Sequence, residues 1–264
     1  MINIIIQKLK EQRNGVIYYA TGLFAYTWLM IGLFPSMQSF DIDAYLKQMP
    51  EEFVKFFGGA EGLQYSKIEG FLSMEYLSIF FVVIITFYLA SSAGSVIAGG
   101  IEKRTIDFDL SQPISRTKYA LSQFVVTLKY SAALVIFNIL AMYLLCLAYD
   151  IDIKISGLLA FGLTAILFMW ALTGIAAFLS SVMKSRISVV LITVVIAFGS
   201  YVFLSLCNII DKLADFKFIS LYNLYNPQKL LESGHVEIKD VVILFAIFSI
   251  GTIASLIIFN KKDI

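Results

Sequence analysis

Glu102 and Thr105, followed by Leu110, Pro113, Ser115 and Arg116, are spaced as E-x-x-T-x4-L-x-x-P-x-S-R, and the same stretch holds Lys103, Arg104, Asp107 and Asp109. The chemistry available to such a segment is recognition. Glu102, Asp107, Asp109 and Arg116 offer charge complementarity that selects a partner, Ile106, Phe108, Leu110 and Ile114 offer apolar contact, and Pro113 can end a short helix. Residues able to do covalent or metal chemistry are sparse elsewhere. His235 is the only histidine and stands without cysteine or a carboxylate pair at ligand spacing. Cys146 and Cys207 lie inside apolar runs, where a thiol behaves as a small hydrophobe and no disulfide framework is indicated. There is no G-x-S-x-G elbow for a nucleophilic serine and no G-x-x-x-x-G-K-[ST] phosphate loop. The chain is therefore expected not to be an enzyme and to hold no cofactor of its own; ATP and Mg, if used, belong to a partner.

The elements that must carry this segment sit in lipid. Of 264 residues, 59% are apolar and only 15% charged, against about 25% in an ordinary soluble domain. The mean hydropathy is +0.83. Crossing a hydrocarbon core takes about 20 mainly apolar residues as helix, because unpaired backbone groups are not tolerated there. Six stretches qualify, at 16–34, 76–97, 124–149, 155–182, 187–209 and 241–259. The expectation is an all-α membrane protein, one transmembrane domain over 1–264, with outer loops at 35–75 and 210–240 and a polar loop at 98–118. An even number of spans puts both termini on one side. Placing that side in the cytoplasm gives eleven basic residues inside against eight outside, and the short loop Lys184–Arg186 is purely basic. The N-terminus lacks a signal-peptide pattern, so the first span is expected to direct its own insertion. A net charge of +1 argues against nucleic acid as a partner.

Three segments read as amphipathic rather than spanning. Ile2, Ile5, Ile6 and Leu9 recur at helical spacing among Lys8, Lys10 and Arg13, which suits an interfacial elbow helix. Around Pro50, the residues Ile42, Tyr45, Leu46, Met49, Phe53, Phe56 and Phe57 predict two short helices or a kinked one. Tyr222 and Tyr225 suit a short helix in the outer leaflet before span six. Within the spans, Ala90, Gly94 and Ala98, with Ser91, Ser95 and Gly99 beside them, form small-residue stripes that serve either a subunit interface or packing inside one bundle. Lys129 can snorkel to the headgroups, and Asn138 can bond a neighbouring helix. No carboxylate sits at mid-span, where ion coupling would want several.

The E-x-x-T-x4-L-x-x-P-x-S-R pattern resembles the cytoplasmic loop between spans two and three of bacterial permeases of the type-two ATP-binding-cassette exporter superfamily. MPEEFVKFFGG is similar to their P-x6-F-G segment, YNPQKLLESG to their loop before the last span, and FNKKDI to their basic tail. Arg104 departs from the pattern where glycine often precedes the threonine, and Gln123 where lysine is frequent. The resemblance implies a half-transporter in a bacterial cell membrane, paired with a second permease subunit, identical or related, and driven by a separate cytoplasmic ATPase. It implies a coupling helix that seats in that ATPase, carried by Glu102, Arg104, Thr105, Asp107, Phe108, Leu110, Pro113 and Arg116. It also implies a substrate path along spans two and five, where Phe80, Phe81, Phe87, Tyr88, Phe198, Tyr201 and Phe203 would suit an amphipathic peptide, a drug or a lipid-like molecule. The alternative is a stand-alone membrane immunity or scaffold protein that binds a partner through its outer loops.

Overall fold

Apolar runs broken only at a few polar or glycine positions fold here into helices, and no strand occurs among the described residues. The computed structural model describes residues 2–38, 50, 55, 67–106 and 114–262. Helix α1 covers Ile2–Gln38, α2 Ile68–Leu72, α3 Phe80–Val96 and α4 Ala98–Glu102. Helices α5 (Arg116–Ala148), α6 (Ile155–Val182) and α7 (Arg186–Ile209) follow, then short 3-10 turns at Asp211–Ile219 and Leu221–Asn223, α8 (Pro227–Ser233) and α9 (Ile238–Lys261). Five of these are long and apolar enough to cross a membrane, and the bent pair Ile68–Leu77 and Phe80–Val96 makes a sixth if it is one span. The protein is a multi-pass membrane protein.

Helix α6 is the mast of the bundle. In its most apolar window 72% of residues are buried, against 17% for α7 and for α9, so lipid-facing surface falls mainly on the outer helices. Helix α9 lies along α6, α1 lies along α5, and α3 is wedged between α6 and α7. Glycines set the closest approach. A Cβ on Gly251 would stand 2.5 Å from the Gly174 carbonyl oxygen, and one on Gly174 would stand 2.7 Å from that of Phe248. Ser255 adds a hydrogen bond across the same seam, its hydroxyl donating to Ala177 O at 2.8 Å. The small-residue stripe of span two also packs within the chain: Gly94 faces the Val189 side chain and Gly99 the stem of Arg186, both on α7.

No boundary separates the N-terminal amphipathic stretch from the first span; both belong to α1, whose only internal proline, Pro35, lies in its last turn. Where a separate elbow helix was expected, the helix simply continues. Its early turns are held on the bundle by Gln12, whose side-chain oxygen accepts from Tyr88 and Ser92 at 3.2 Å each, and by Tyr130, which donates to Leu9 O. The start of span three likewise precedes the apolar run, because Ser115 caps α5 by accepting from Lys118 N at 3.3 Å. The short helices expected around Pro50 fall largely on 39–49, 51–54 and 56–66, outside the described residues.

Span two is broken. A π-helical turn at Ser73–Leu77 precedes a 42° bend, and tyrosines close the break from elsewhere in the chain. Tyr225 OH donates to Leu77 O at 3.1 Å, Tyr222 OH to Ser78 O at 2.8 Å and Tyr26 OH to Glu75 O at 3.3 Å. Tyr222 and Tyr225 are 4% and 1% exposed, which places them in the core rather than at the membrane interface that their sequence position had suggested. Phe168 of α6 stacks on Tyr225 at 4.6 Å between ring centres. Helix α8, which follows these tyrosines, has its ends fixed by its own sequence: Asn226 caps it, Pro227 takes the first turn, and Gly234 ends it in the left-handed region at φ 65°.

Asn138 joins three spans. Its amide nitrogen donates to Thr27 Oγ1 at 2.8 Å and to Tyr76 OH at 2.6 Å, deep in the bundle. Replacing Asn138 with leucine should lower stability by about 1 kcal/mol, the usual worth of an interhelical hydrogen bond in a membrane. Denaturant titration in detergent checks it; a variant as stable as the wild type would show that the hydrogen bond Thr27 donates to Tyr76 OH at 3.1 Å suffices alone.

Candidate functional site: a polar segment anchored at both ends

Glu102 and Arg116 bracket the polar loop, and each is fastened to a different long helix. The Glu102 carboxylate accepts from the backbone N–H of Arg186 at 2.8 Å and lies 3.4 Å from the Ser185 hydroxyl. This puts a negative charge at the N-terminus of α7, where the unpaired amides and the helix dipole favour it. The Arg116 guanidinium donates to Lys262 O at 2.6 Å and Phe259 O at 3.4 Å, and sits 6.0 Å from the centre of the Phe259 ring. It thereby supplies positive charge to the C-terminal carbonyls of α9. Asn260 donates to Thr117 at 2.8 Å, and Lys262 Nζ donates to Ser181 O at 2.7 Å, so the ends of α5, α6 and α9 converge. Removal of Lys262 from water lowers its ammonium pKa, an effect to which nearby Lys184 adds.

Around the first anchor the chain turns sharply. Ser180 of α6 repairs the α3–α4 junction: its hydroxyl accepts from Ile97 N at 3.3 Å and Ala98 N at 3.2 Å and donates to Gly94 O at 3.3 Å. After α4, Arg104 N donates to Ile101 O and Thr105 N to Gly100 O, while Ile106 tucks its side chain against Gly100. Lys103, Arg104 and Thr105 remain exposed. Arg104 has φ 54°, the left-handed conformation that glycine adopts without a Cβ penalty. The turn thus keeps a glycine-like backbone with an arginine in it. Arg104→Gly should leave the fold intact and raise stability by up to about 1 kcal/mol. A thermal melt of the purified protein reads this directly, and a clear loss of stability would mean that the guanidinium itself holds the turn.

Asp107, Phe108, Leu110 and Pro113 lie outside the described residues. Of the aromatics assigned to a substrate path, Phe81 and Tyr88 are buried. Phe81 meets Tyr76 and Phe161, and Tyr88 meets Tyr19 and Tyr130. Phe80 meets Tyr26 in a tilted pair at 4.9 Å yet stays half exposed; Phe87 and Phe198 are exposed; Tyr201 is half-buried with its ring edge-on to Tyr222, and Phe203 is half-buried. His235 is exposed, both cysteines are buried free thiols, and the described residues contain no cluster of three or more metal-ligating side chains. The anchors at Arg116 and Glu102 could not be paired with their helix ends from sequence, although the FNKKDI tail and the polar loop were both conspicuous there.

Residues 8–260 match the family described as "Multidrug efflux system permease Rv1217c, C-terminal domain". The chain belongs to that family. It is accordingly read as a permease of a transport system, and the stand-alone immunity or scaffold alternative is not favoured. No curated protein and no solved structure matches the chain.

Proposed function

We propose that this permease is the membrane-spanning half of an efflux pump, paired with a second permease subunit and driven by a separate cytoplasmic ATP-binding-cassette ATPase that docks on the 98–118 loop. The observation that supports this most is the double anchorage. A push on the loop bears through Glu102 on the N-terminus of α7 and through Arg116 on the C-terminus of α9. Such a segment acts as a lever on two spans at once, and rigid-body shifts of packed helices are how transporters alternate access. The permease itself does no chemistry; ATP and Mg are bound and consumed on the partner. The efflux named for the family fits an amphipathic or hydrophobic cargo, for which the exposed Phe80, Phe87 and Phe198 offer apolar, sequence-tolerant contact.

Purification from native membranes in gentle detergent tests the assembly. A stoichiometric ATPase and ATP-dependent efflux of a fluorescent drug in reconstituted vesicles are expected. A chain that purifies alone, and vesicles that expel the drug no faster with ATP than without, would end the proposal.

A further inference from the structure

A polar cavity of about 270 Å³ opens at the basic end of the bundle, between the early turns of α1, the α3–α4 junction and the first turns of α5 and α7. Among the described residues three cations line it, Lys8, Lys103 and Arg186, against the carboxylate of Glu11, a net charge of +2. Glu11 is already engaged by Lys8 at 2.8 Å. Among the described residues, Lys103 and Arg186 therefore face the cavity without a paired anion. Glu102 does not supply one to the guanidinium, because its hydrogen bond goes to the Arg186 backbone.

A further observation points to an acceptor. One terminal nitrogen of the Arg186 guanidinium donates to Ser91, but its Nε is buried and has no partner. Gln123, only 7% exposed, lines the same cavity and brings a side-chain amide to it. Buried donors are nearly always satisfied, so an unpaired guanidinium nitrogen on a residue that lines a positive cavity points to an acceptor that carries negative charge. A guanidinium edge, an ammonium and an amide match the several oxygens of a phosphate better than they match a single carboxylate or a halide.

We propose that this cavity binds a phosphate group, carried either by an anionic lipid headgroup or by a soluble phosphate ester. The surroundings favour the lipid. Ile2 and Ile6, 73% and 46% exposed, lie on α1 within two turns of Lys8 and provide an apolar flank for acyl chains. The site forms within this chain and needs no partner subunit.

The test measures thermal unfolding of the purified full chain in detergent against graded dioctanoyl phosphatidylglycerol, dioctanoyl phosphatidylcholine and glycerol phosphate. Wild-type protein should show a saturable rise with the phosphatidylglycerol and a much weaker response to the zwitterionic lipid. Lys103→Gln, on an exposed side chain, and Gln123→Leu should each weaken the apparent affinity about tenfold, as expected for loss of one hydrogen bond to a charged group. Lys154→Gln, away from the cavity, should leave it unchanged. Saturation by phosphatidylglycerol alone identifies a lipid site; saturation by glycerol phosphate as well identifies a soluble ester. No saturable response to either, equal responses to both lipids, or Lys103→Gln and Gln123→Leu behaving as wild type would overturn the proposal.

Discussion

Gly251→Val is expected to destabilise the fold severely, whereas the same change at Gly199 should pass almost unnoticed. Both glycines lie inside apolar helices, so propensity and hydropathy treat them alike. Their surroundings differ completely: a Cβ on Gly251 falls 2.5 Å from the Gly174 carbonyl oxygen and 2.6 Å from its carbon, while one on Gly199 meets nothing within 4 Å. The obstructing atoms are backbone, so no side-chain rotation can relieve the clash. Helices α6 and α9 must move apart, and close approach of small residues is what drives helix association where lipid is as apolar as the core. Overpacking of this kind costs about 3 kcal/mol, roughly a hundredfold in the folded population and a large fraction of a total stability of about 5–15 kcal/mol. Size-exclusion profiles and denaturant titration of the two variants decide the matter. Equal stability of Gly251→Val and Gly199→Val would mean that the α6–α9 seam is not set by these glycines.

Under the proposed ATPase-driven mechanism, Arg116→Ala should cut ATP-driven efflux at least tenfold while ATP hydrolysis continues. The guanidinium makes two charge-assisted hydrogen bonds to the last carbonyls of α9, at 2.6 and 3.4 Å. Bonds of this kind are each worth about 1.5–3 kcal/mol. Without them the polar loop still reaches α7 through Glu102 but no longer bears on α9. Arg116→Lys keeps the charge but loses the planar guanidinium, whose one terminal nitrogen makes both bonds beside the Phe259 ring, so it should fall between alanine and wild type. Glu102→Gln keeps an acceptor for the Arg186 N–H and should be the mildest of the three. The decisive quantity is drug expelled per ATP hydrolysed in reconstituted vesicles. A wild-type ratio in Arg116→Ala would show that force does not pass through this anchor.

Hydropathy made the helical, membrane-spanning character of the chain legible, because a long apolar run in a chain this poor in charge has little other use. The ends of helices were less legible. Helix α5 begins at Arg116, well before its apolar run, since a serine cap and contacts to α9 stabilise polar turns that hydropathy discounts. The lone glycines Gly174 and Gly251 carried no repeat signal, for each finds its partner on another helix rather than four residues along its own. Tyr222 and Tyr225 were read from composition as interfacial, yet a broken helix elsewhere needed their hydroxyls. Arg104 was visible as a departure from the glycine frequent in the pattern that the loop resembles, and its φ of 54° is a backbone conformation that glycine adopts without penalty.

Those tyrosine hydroxyls also impose an order on assembly. The carbonyls of Leu77 and Ser78 are bonded by side chains that lie 148 and 144 residues further along the chain. Until the ribosome has delivered the segment before the last span, the break in span two has no such partners, and in lipid an unpaired carbonyl is costly. Span two must therefore wait in a provisional shape, as a straighter helix or with its break still in contact with water or insertion machinery. A chain truncated after α7 would insert its earlier spans yet lack the means to lock the second one.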